Sequence, residues 1–433
     1  MNRQLAEAVI ATFREDDVYA HRQLAGFGIR VWRRSFRWLD ATGLALYFLD
    51  RLKSFGLEDA VPLEVITGLE TRLADNKQRA ADLFDEFLRI NRAFQDAGLR
   101  YVNLKGFTLV PDYYPDPSLR CQFDLDFLAS SADAPRCRDI LERFGYVITG
   151  HSENVLEFKA GSSQVPSIHD LYKTKPQRSV EMHFVSSGHT AVEFEGGLLA
   201  RSQSHTWSGA KFPALADTDM FIAQAHHLFR HVKSEWTRIS WLLEFKTYVA
   251  ARRNDTQFWN DVRMRATTVA DGTLAVGVAT WLATEAFGEF APRELTNWSM
   301  WAIPNPVRLW LECYGTEVLL ADFPGTKLYL LLNGELSREG SLGDKLVLRK
   351  VFPLRCPPRV THSSGRGIGQ KVRATLAQGS YVLFRLRFHI AESSRYLLEV
   401  LRWKRIVSAP GWNGDQSCPP RVGSVSAGSA AEN

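Results

Sequence analysis

The segment at residues 104–129 reads LKGFTLVPDYYPDPSLRCQFDLDFLA. It begins at the end of a strand-like segment, passes through a proline-rich loop, and ends in residues 123–128, where acidic and apolar residues alternate. Because successive side chains of a strand point to opposite faces, Asp124 and Asp126 should share one face. Two carboxylates that project together can hold a divalent cation against phosphates, although the same triplet is also common on ordinary exposed strands. The pattern therefore predicts a strand with a candidate metal-binding face.

Further strands are predicted around this one. Residues 101–104 precede it, residues 146–148 follow a predicted helix over 135–144, and residues 179–184 alternate again. In that last segment Glu181 and His183 lie on the polar face, so Glu181 is the candidate third carboxylate. His183 either positions Glu181, contacts substrate, or is a packing residue. The segments together indicate a small mixed β-sheet.

Helical periodicity flanks this sheet on both sides. Apolar residues recur at intervals of three and four through residues 83–99, with Gly98 placed to end the helix, and the pattern returns from Asp217 onward. The apolar run at residues 327–332, KLYLLL, predicts a strand. The sequence thus indicates an α+β protein, divided into a helical N-terminal region (1–98), a catalytic core (99–205), a helical region (206–295), a basic mixed C-terminal region (296–408) and a disordered tail (409–433).

Positive charge is concentrated near the C-terminus. Residues 345–405 contain 14 Lys or Arg and two Glu, although the formal net charge of the whole chain is only +5. A basic helix is expected at residues 371–406. It is either a solvated face, a helix packed on its own domain, or a peripheral contact with an anionic membrane. Nucleic acid is the less favoured partner, because no recognised binding motif accompanies the charge.

Composition and targeting signals favour a cytoplasmic protein. Hydrophobic residues make up 45% of the chain and charged residues 23%, as in soluble globular proteins. Five cysteines are scattered without metal-binding spacing, which argues against a zinc site. Charges interrupt the first 16 residues, MNRQLAEAVIATFRED, where a signal peptide needs an apolar segment. The longest apolar span, residues 274–284, is too short to cross a bilayer.

Residues 104–129 resemble the signature of an uncharacterised bacterial nucleotidyltransferase family within the DNA polymerase beta superfamily. Four elements occur in the order of that signature, namely Leu104-Lys105-Gly106, Tyr114-Pro115-Asp116-Pro117, Arg120 and Asp124-Leu125-Asp126. The resemblance covers residues 45–290. It implies a polymerase beta-like core, a small mixed sheet flanked by helical N- and C-terminal regions.

The resemblance also implies roles for these residues. Asp124, Asp126 and Glu181 would be the catalytic carboxylates and would hold Mg²⁺, with two ions in the site. Lys105 and Gly106 would lie near the nucleotide phosphates. A glycine that follows a strand lets phosphate approach the backbone amides, and the lysine adds a positive charge, so elementary chemistry supports this second assignment.

Arg120 and two histidines have more than one interpretation. Arg120 either contacts phosphate or forms an ion pair with Asp112 or Asp116. His227 and His231 are four apart on a predicted helix, a spacing that lets two imidazoles share a metal, but no third ligand accompanies them. We therefore expect each histidine either to have a structural role or to contact the metal ligands rather than the metal itself.

The implied reaction is transfer of a nucleoside monophosphate from ATP or another nucleoside triphosphate to an acceptor, with release of pyrophosphate. The sequence leaves the acceptor open among small molecules, peptides, proteins and RNA. One departure is Phe123, which stands where the family usually has a small residue. It keeps open a catalytically silent binding or regulatory protein of the same fold. A basic protein that binds nucleic acid or a membrane surface is the other alternative.

Overall fold

The protein is a mixed α+β structure with a seven-stranded sheet surrounded by helices. The computed structural model describes residues 2–14, 17–152, 154–161, 171–173, 178–184, 197–337, 344–353, 357 and 368–407. The predicted tail at 409–433 lies outside these residues.

Helices fill the N-terminal region, as the periodicity predicts. They are α1 (Arg3–Ala11), α2 (Asp17–Ala25), α3 (Ile29–Thr42), α4 (Ala45–Ser54) and α5 (Leu63–Asp96). The long helix α5 ends at Gly98, which has a φ of 63°. The amide of Leu99 then bonds back to the carbonyl of Phe94 at 3.0 Å, which closes the last turn. The predicted glycine stop is therefore confirmed.

The sheet begins directly after this turn. Its strands are β1 (Tyr101–Asn103), β2 (Leu125–Ala129), β3 (Tyr146–His151), β4 (Val155–Ala160), β5 (Arg178–Phe184), β6 (Gln203–Trp207) and β7 (Ala210–Ala214), with α6 (Ala134–Arg143) between β2 and β3. The strand order is β3-β4-β5-β2-β1-β7-β6. Strand β2 is parallel to β5 and antiparallel to β1. The boundary expected at residue 205 falls inside β6, so the sheet extends to Ala214.

One face of the sheet is buried against α5 and α6. Phe87, Ile90 and Phe94 of α5 form a core cluster with Phe127 of β2 and Met182 of β5, and all five side chains are almost fully buried. The rings of Phe94 and Phe127 meet edge to face at 5.4 Å. Each buried side chain of this size contributes roughly 1.5–3 kcal/mol. Because these side chains point into the core, the alternate side chains of β2 and β5 point to the opposite face of the sheet, where the candidate site lies.

The remainder of the described chain is helical. The helices are α7 (Asp217–Val232), α8 (Ile239–Ala251), α9 (Thr256–Thr267), α10 (Gly272–Phe287), α11 (Arg293–Ser299), α12 (Asn305–Leu320), α13 (Tyr329–Leu336), α14 (Asp344–Val351) and α15 (Ile368–Val407). Among the described helices, none combines the length and the apolar character that crossing a bilayer requires.

The strand predicted at residues 327–332 is wrong, because helix α13 occupies most of that run. Residues 328–332 are all buried. A segment that is buried on every side shows no period in its sequence, so a short apolar run cannot distinguish a strand from a helix. The basic helix predicted at 371–406 is confirmed as α15.

Candidate functional site

The register between β2 and β5 brings the predicted acidic residues together. Asp126 lies directly opposite Glu181, and Leu128 lies opposite His183. Because side chains alternate across a strand, Glu181 and His183 share the face of Asp126. One ligand atom from each of these three side chains lies within 4.8 Å of the others. Among the described residues they form the group that could hold a metal ion.

Asp124 immediately precedes β2 and belongs to the same electrostatic cluster, although it is outside that three-residue group. Burial, followed by the negative charge of Asp126, raises the pKa of Asp124 to about 6. Lys105 opposes this rise and Glu181 adds to it. The chain therefore concentrates negative charge at one point of the sheet, which a bound cation would relieve.

Asp126 is the most buried member of the cluster. Lys105 Nζ lies 2.9 Å from Asp126 Oδ1, and His183 Nε2 lies 3.8 Å from the same oxygen. Burial alone would favour the neutral acid, but the Lys105 ammonium and His183 hold the pKa of Asp126 below its usual value. Oδ1 of Asp126 is thus a buried carboxylate oxygen in direct contact with the Lys105 ammonium.

Glu181 is more accessible than Asp126. Its side chain is 32% exposed, against 1% for Asp126. Its Oε2 atom lies 3.7 Å from His183 Nε2. Although burial lowers the pKa of His183, the neighbouring carboxylates of Asp126 and Glu181 outweigh burial and raise it. The group therefore contains one enclosed and one accessible carboxylate.

Gly106 and Tyr114 connect the first two elements of the signature. Gly106 has a φ of 73°, and a Cβ at this position would lie 2.3 Å from Gln122 Nε2. Gln122 Nε2 in turn donates to the carbonyl oxygen of Asp124 at 2.8 Å. The Tyr114 hydroxyl donates to the carbonyl oxygen of Gly106 at 2.7 Å. Glycine is required here because the backbone is left-handed and the space beside it is filled.

Arg120 is largely enclosed, with 13% of its side chain exposed, and it pairs with a residue that neither interpretation named. Its Nε lies 3.1 Å from Glu244 Oε1 on α8. The ion pair expected with Asp112 or Asp116 is wrong, since those two carboxylates make other contacts. The hydroxyl of Tyr47 also donates to Glu244 Oε1, at 2.9 Å. This buried pair ties the signature loop to the helical region.

Two polar residues of α5 anchor the same loop, and sequence reasoning missed both. Asn76 Nδ2 donates to the carbonyl oxygens of Ser118 and Arg120, at 2.6 and 3.2 Å. Arg79 Nη2 donates to the carbonyl oxygen of Gln122 at 2.6 Å. Both side chains are buried. Buried polar side chains of a helix need hydrogen-bond partners. The available sequence signal was therefore the presence of two polar residues, Asn76 and Arg79, on the buried side of α5.

Arg238 is a third residue that the sequence did not reveal. Its guanidinium lies over the rings of Phe123, Trp241 and Trp236, at 4.9, 5.5 and 5.9 Å from their centroids. Within the described ranges no carboxylate lies in ion-pair distance of it. Burial, the largest effect, lowers the pKa of Arg238, and the charge of Asp124 opposes this. The site thus includes a cation held by aromatic rings beside the carboxylates.

Phe123 has a packing role that explains its size. Arg79 lies 4.8 Å from its ring centroid and Arg238 lies 4.9 Å from it. A small side chain would leave both guanidinium groups without this aromatic surface. The large residue at position 123, where the family usually has a small one, is therefore explained by its contacts with Arg79 and Arg238.

His227 and His231 lie on α7 near the site but are not members of its metal-binding group. Their ring centroids are 4.6 Å apart, and each is 4.5 Å from the ring of Trp241. Burial, followed by neighbouring positive charges that include Lys105, lowers the pKa of both, that of His231 to about 4. The two imidazoles are therefore neutral at pH 7, and they pack edge-on or tilted against each other and against Trp241.

Comparison with protein families gives one match. A family profile described as "Uncharacterised nucleotidyltransferase" matches residues 30–288, which is more than half of the chain. The matched range contains every site residue described above. A comparison with curated proteins found no match.

Proposed function

The chain belongs to this uncharacterised nucleotidyltransferase family, and from that premise we propose that it transfers a nucleoside monophosphate from a triphosphate to an acceptor, with release of pyrophosphate. The proposal rests mainly on the ligand atoms of Asp126, Glu181 and His183, which lie within 4.8 Å of one another. Asp126 is buried, and the Lys105 ammonium lies 2.9 Å from its Oδ1. Carboxylates gathered in this way repel one another, and a bound divalent cation would relieve that repulsion.

The donor set suits a hard divalent cation. Asp124, Asp126 and Glu181 would hold it, and carboxylate oxygens are the ligands that Mg²⁺ prefers. Three carboxylates are also sufficient for two ions. When bound, such ions stabilise negative charge on the reacting phosphates and lower the pKa of an attacking hydroxyl. We also propose that the sheet is a core of polymerase beta type, as the resemblance implies.

The positive side chains of the site are suited to the triphosphate. Lys105 already neutralises Asp126, so a cation at the carboxylates would free its ammonium for a phosphate oxygen. Arg238 has no described ion-pair partner and presents planar donors that fit phosphate. Arg120 is committed to Glu244, which favours a role in positioning the loop over direct phosphate contact.

Glu181 is the carboxylate best placed to act as the general base. Glu181 is partly exposed, so its carboxylate can take the proton of an acceptor hydroxyl, while the enclosed Asp126 cannot meet an acceptor without a conformational change. His183 Nε2, 3.7 Å from Glu181 Oε2, is placed to orient that carboxylate. The packing of Arg79 and Arg238 on Phe123 gives its bulk a structural cause, which favours the catalytic proposal over the silent-protein alternative.

Calorimetric titration with each nucleoside triphosphate, with and without Mg²⁺, tests the proposal. Wild-type protein should bind one or more triphosphates only with Mg²⁺. Asp126→Asn and Glu181→Gln should lose this binding while keeping the wild-type circular dichroism spectrum. Asp85→Asn on α5 is the matched control, since Asp85 is exposed and makes no contact with the site. Binding without Mg²⁺, or equal binding by Asp126→Asn and Asp85→Asn, would contradict the proposal.

A turnover assay then tests transfer itself. Pyrophosphate release should depend on an added acceptor, and it should disappear in Glu181→Gln even when the triphosphate is present in excess. Folded wild-type protein that binds triphosphate but releases no pyrophosphate with any acceptor class would favour a binding or regulatory protein of this fold.

A further inference from the structure

Helix α15 has one face fixed to the protein body. It spans 40 residues, or roughly 60 Å. Its Glu392 accepts a hydrogen bond from Thr326 Oγ1 at 2.7 Å, and its Glu399 accepts one from the hydroxyl of Tyr314 at 2.8 Å. These are the acidic residues of the helix, and both are used on the inner face. The orientation of the helix is therefore set by polar contacts that leave the opposite face outward.

The outward face is apolar along its length. Leu383 and Ile390 are each 62% exposed, and Leu398 is 71% exposed. The exposed apolar side chains, here called the outer stripe, are Val372, Leu376, Leu383, Leu386, Ile390, Leu397, Leu398 and Leu401. Most follow one another at intervals of three, four or seven, which places them on one side of a helix. A stripe of this size left in water indicates a contact surface.

Every charge that accompanies the outer stripe is positive. Arg387, Lys404 and Arg405 are exposed beside it, and Lys371 and Arg373 are exposed near its start. In the described ranges none of these five side chains has a carboxylate within ion-pair distance. The outward face of α15 is thus apolar and basic, with no acidic residue.

We infer that α15 binds flat on the surface of an anionic lipid bilayer. Such a surface takes apolar side chains at the boundary of the acyl chains and basic side chains among acidic headgroups. A second copy of the chain would instead bring two positively charged faces together. Nucleic acid would pair with the charges but would leave the leucines in water. The lipid surface is the occupant that satisfies both features.

Vesicle binding by the full chain tests this inference. The protein should float with phosphatidylcholine vesicles in which about a third of the lipid is phosphatidylglycerol, and should not float with pure phosphatidylcholine. Added salt should weaken binding, because the attraction is between exposed charges. Equal binding to both vesicles, or no binding to either, would overturn the inference.

Two pairs of variants separate the contributions of charge and apolar surface. Arg387→Glu with Arg405→Glu should weaken binding at least about tenfold, since each basic residue near the surface contributes severalfold. The control pair, Arg263→Glu with Arg293→Glu, makes the same change in net charge on exposed positions of α9 and α11 and should bind like wild type. An equal loss in the control pair would overturn the inference.

A second pair, Leu383→Gln with Ile390→Gln, examines the outer stripe. Both positions are exposed, so the fold should be unchanged by circular dichroism, and vesicle binding should fall. Sedimentation of the wild type and of this double variant tests the alternative that the outer stripe binds a second copy of the chain. A wild-type dimer that the pair converts to monomer would assign the stripe to a second copy and overturn the lipid inference.

Discussion

Replacement of Gly106 by alanine would test how the signature loop is built. The φ of 73° costs an alanine roughly 1–2 kcal/mol. The new Cβ would lie 2.3 Å from Gln122 Nε2, so that amide must move and give up its bond to the Asp124 carbonyl, worth about 0.5–1.5 kcal/mol. We expect the free energy of unfolding to fall by about 1.5–3.5 kcal/mol in urea. Mg²⁺-dependent triphosphate binding should weaken as well, because Gln122 supports the backbone of Asp124.

Gly98→Ala is the matched control. Gly98 has a φ of 63°, but nothing lies within 4 Å of a Cβ there, so only the backbone cost of roughly 1–2 kcal/mol should appear. In a Gln122→Ala background the extra cost of Gly106→Ala should disappear, which a double-mutant cycle measures. The reasoning is refuted if the two glycine variants cost the same, or if the extra cost survives removal of the Gln122 amide.

Three further predictions concern the buried charges and rings around the site. Glu244→Gln leaves the Arg120 guanidinium buried without its partner, so urea unfolding should show a loss of roughly 3–5 kcal/mol; a loss below about 1 kcal/mol would contradict the anchoring role. The folded pKa of His231 is depressed to about 4 from an ordinary 6.5, so its contribution to stability is present above pH 6.5 and is lost as the pH falls toward 4. His231→Phe keeps a ring against Trp241 and should reduce that acid loss by on the order of 1–3 kcal/mol; an unchanged pH profile would refute the assignment. Arg238→Met should weaken triphosphate binding roughly 10–100-fold by calorimetry and leave Mg²⁺ binding unchanged, while a matching loss of Mg²⁺ affinity would exclude a phosphate contact.

Local periodicity was sufficient to find the central strands. Residues 123–128 and 179–184 alternate polar and apolar side chains. Strand β5 covers the second segment, whereas β2 begins only at Leu125, so Phe123 and Asp124 lie just before it. The apolar side chains of Leu125, Phe127, Val180 and Met182 enter the core. The glycine stop after α5 was equally local, since it depends on one residue with a left-handed backbone. The wrong strand prediction at residues 327–332 also reflects reliance on periodicity. Because residues 328–332 are all buried, their sequence has no hydrophobic period that could distinguish a helix from a strand.

The partners of the charged residues were not available from local sequence. Arg120 selects Glu244 on α8 over the nearby Asp112 and Asp116, because folding brings Glu244 to it across 124 positions. Arg238 becomes a site residue only when the loop after α7 places it over Phe123. These pairings depend on which helices pack together. Because many segments of the chain carry suitable charges, the sequence alone does not identify the partners.

Local sequence is enough to place Asp126 on the face of its strand opposite Leu125 and Phe127, and to place Glu181 and His183 together on one face of theirs. This follows from covalent geometry, since the period of two is a property of any extended chain. Tertiary structure alone decided that β2 and β5 lie side by side and parallel, in the register that sets Asp126 opposite Glu181. That register is set by the apolar cluster beneath the sheet, because a slip of one residue would turn its buried side chains outward and bring the acidic ones into the core.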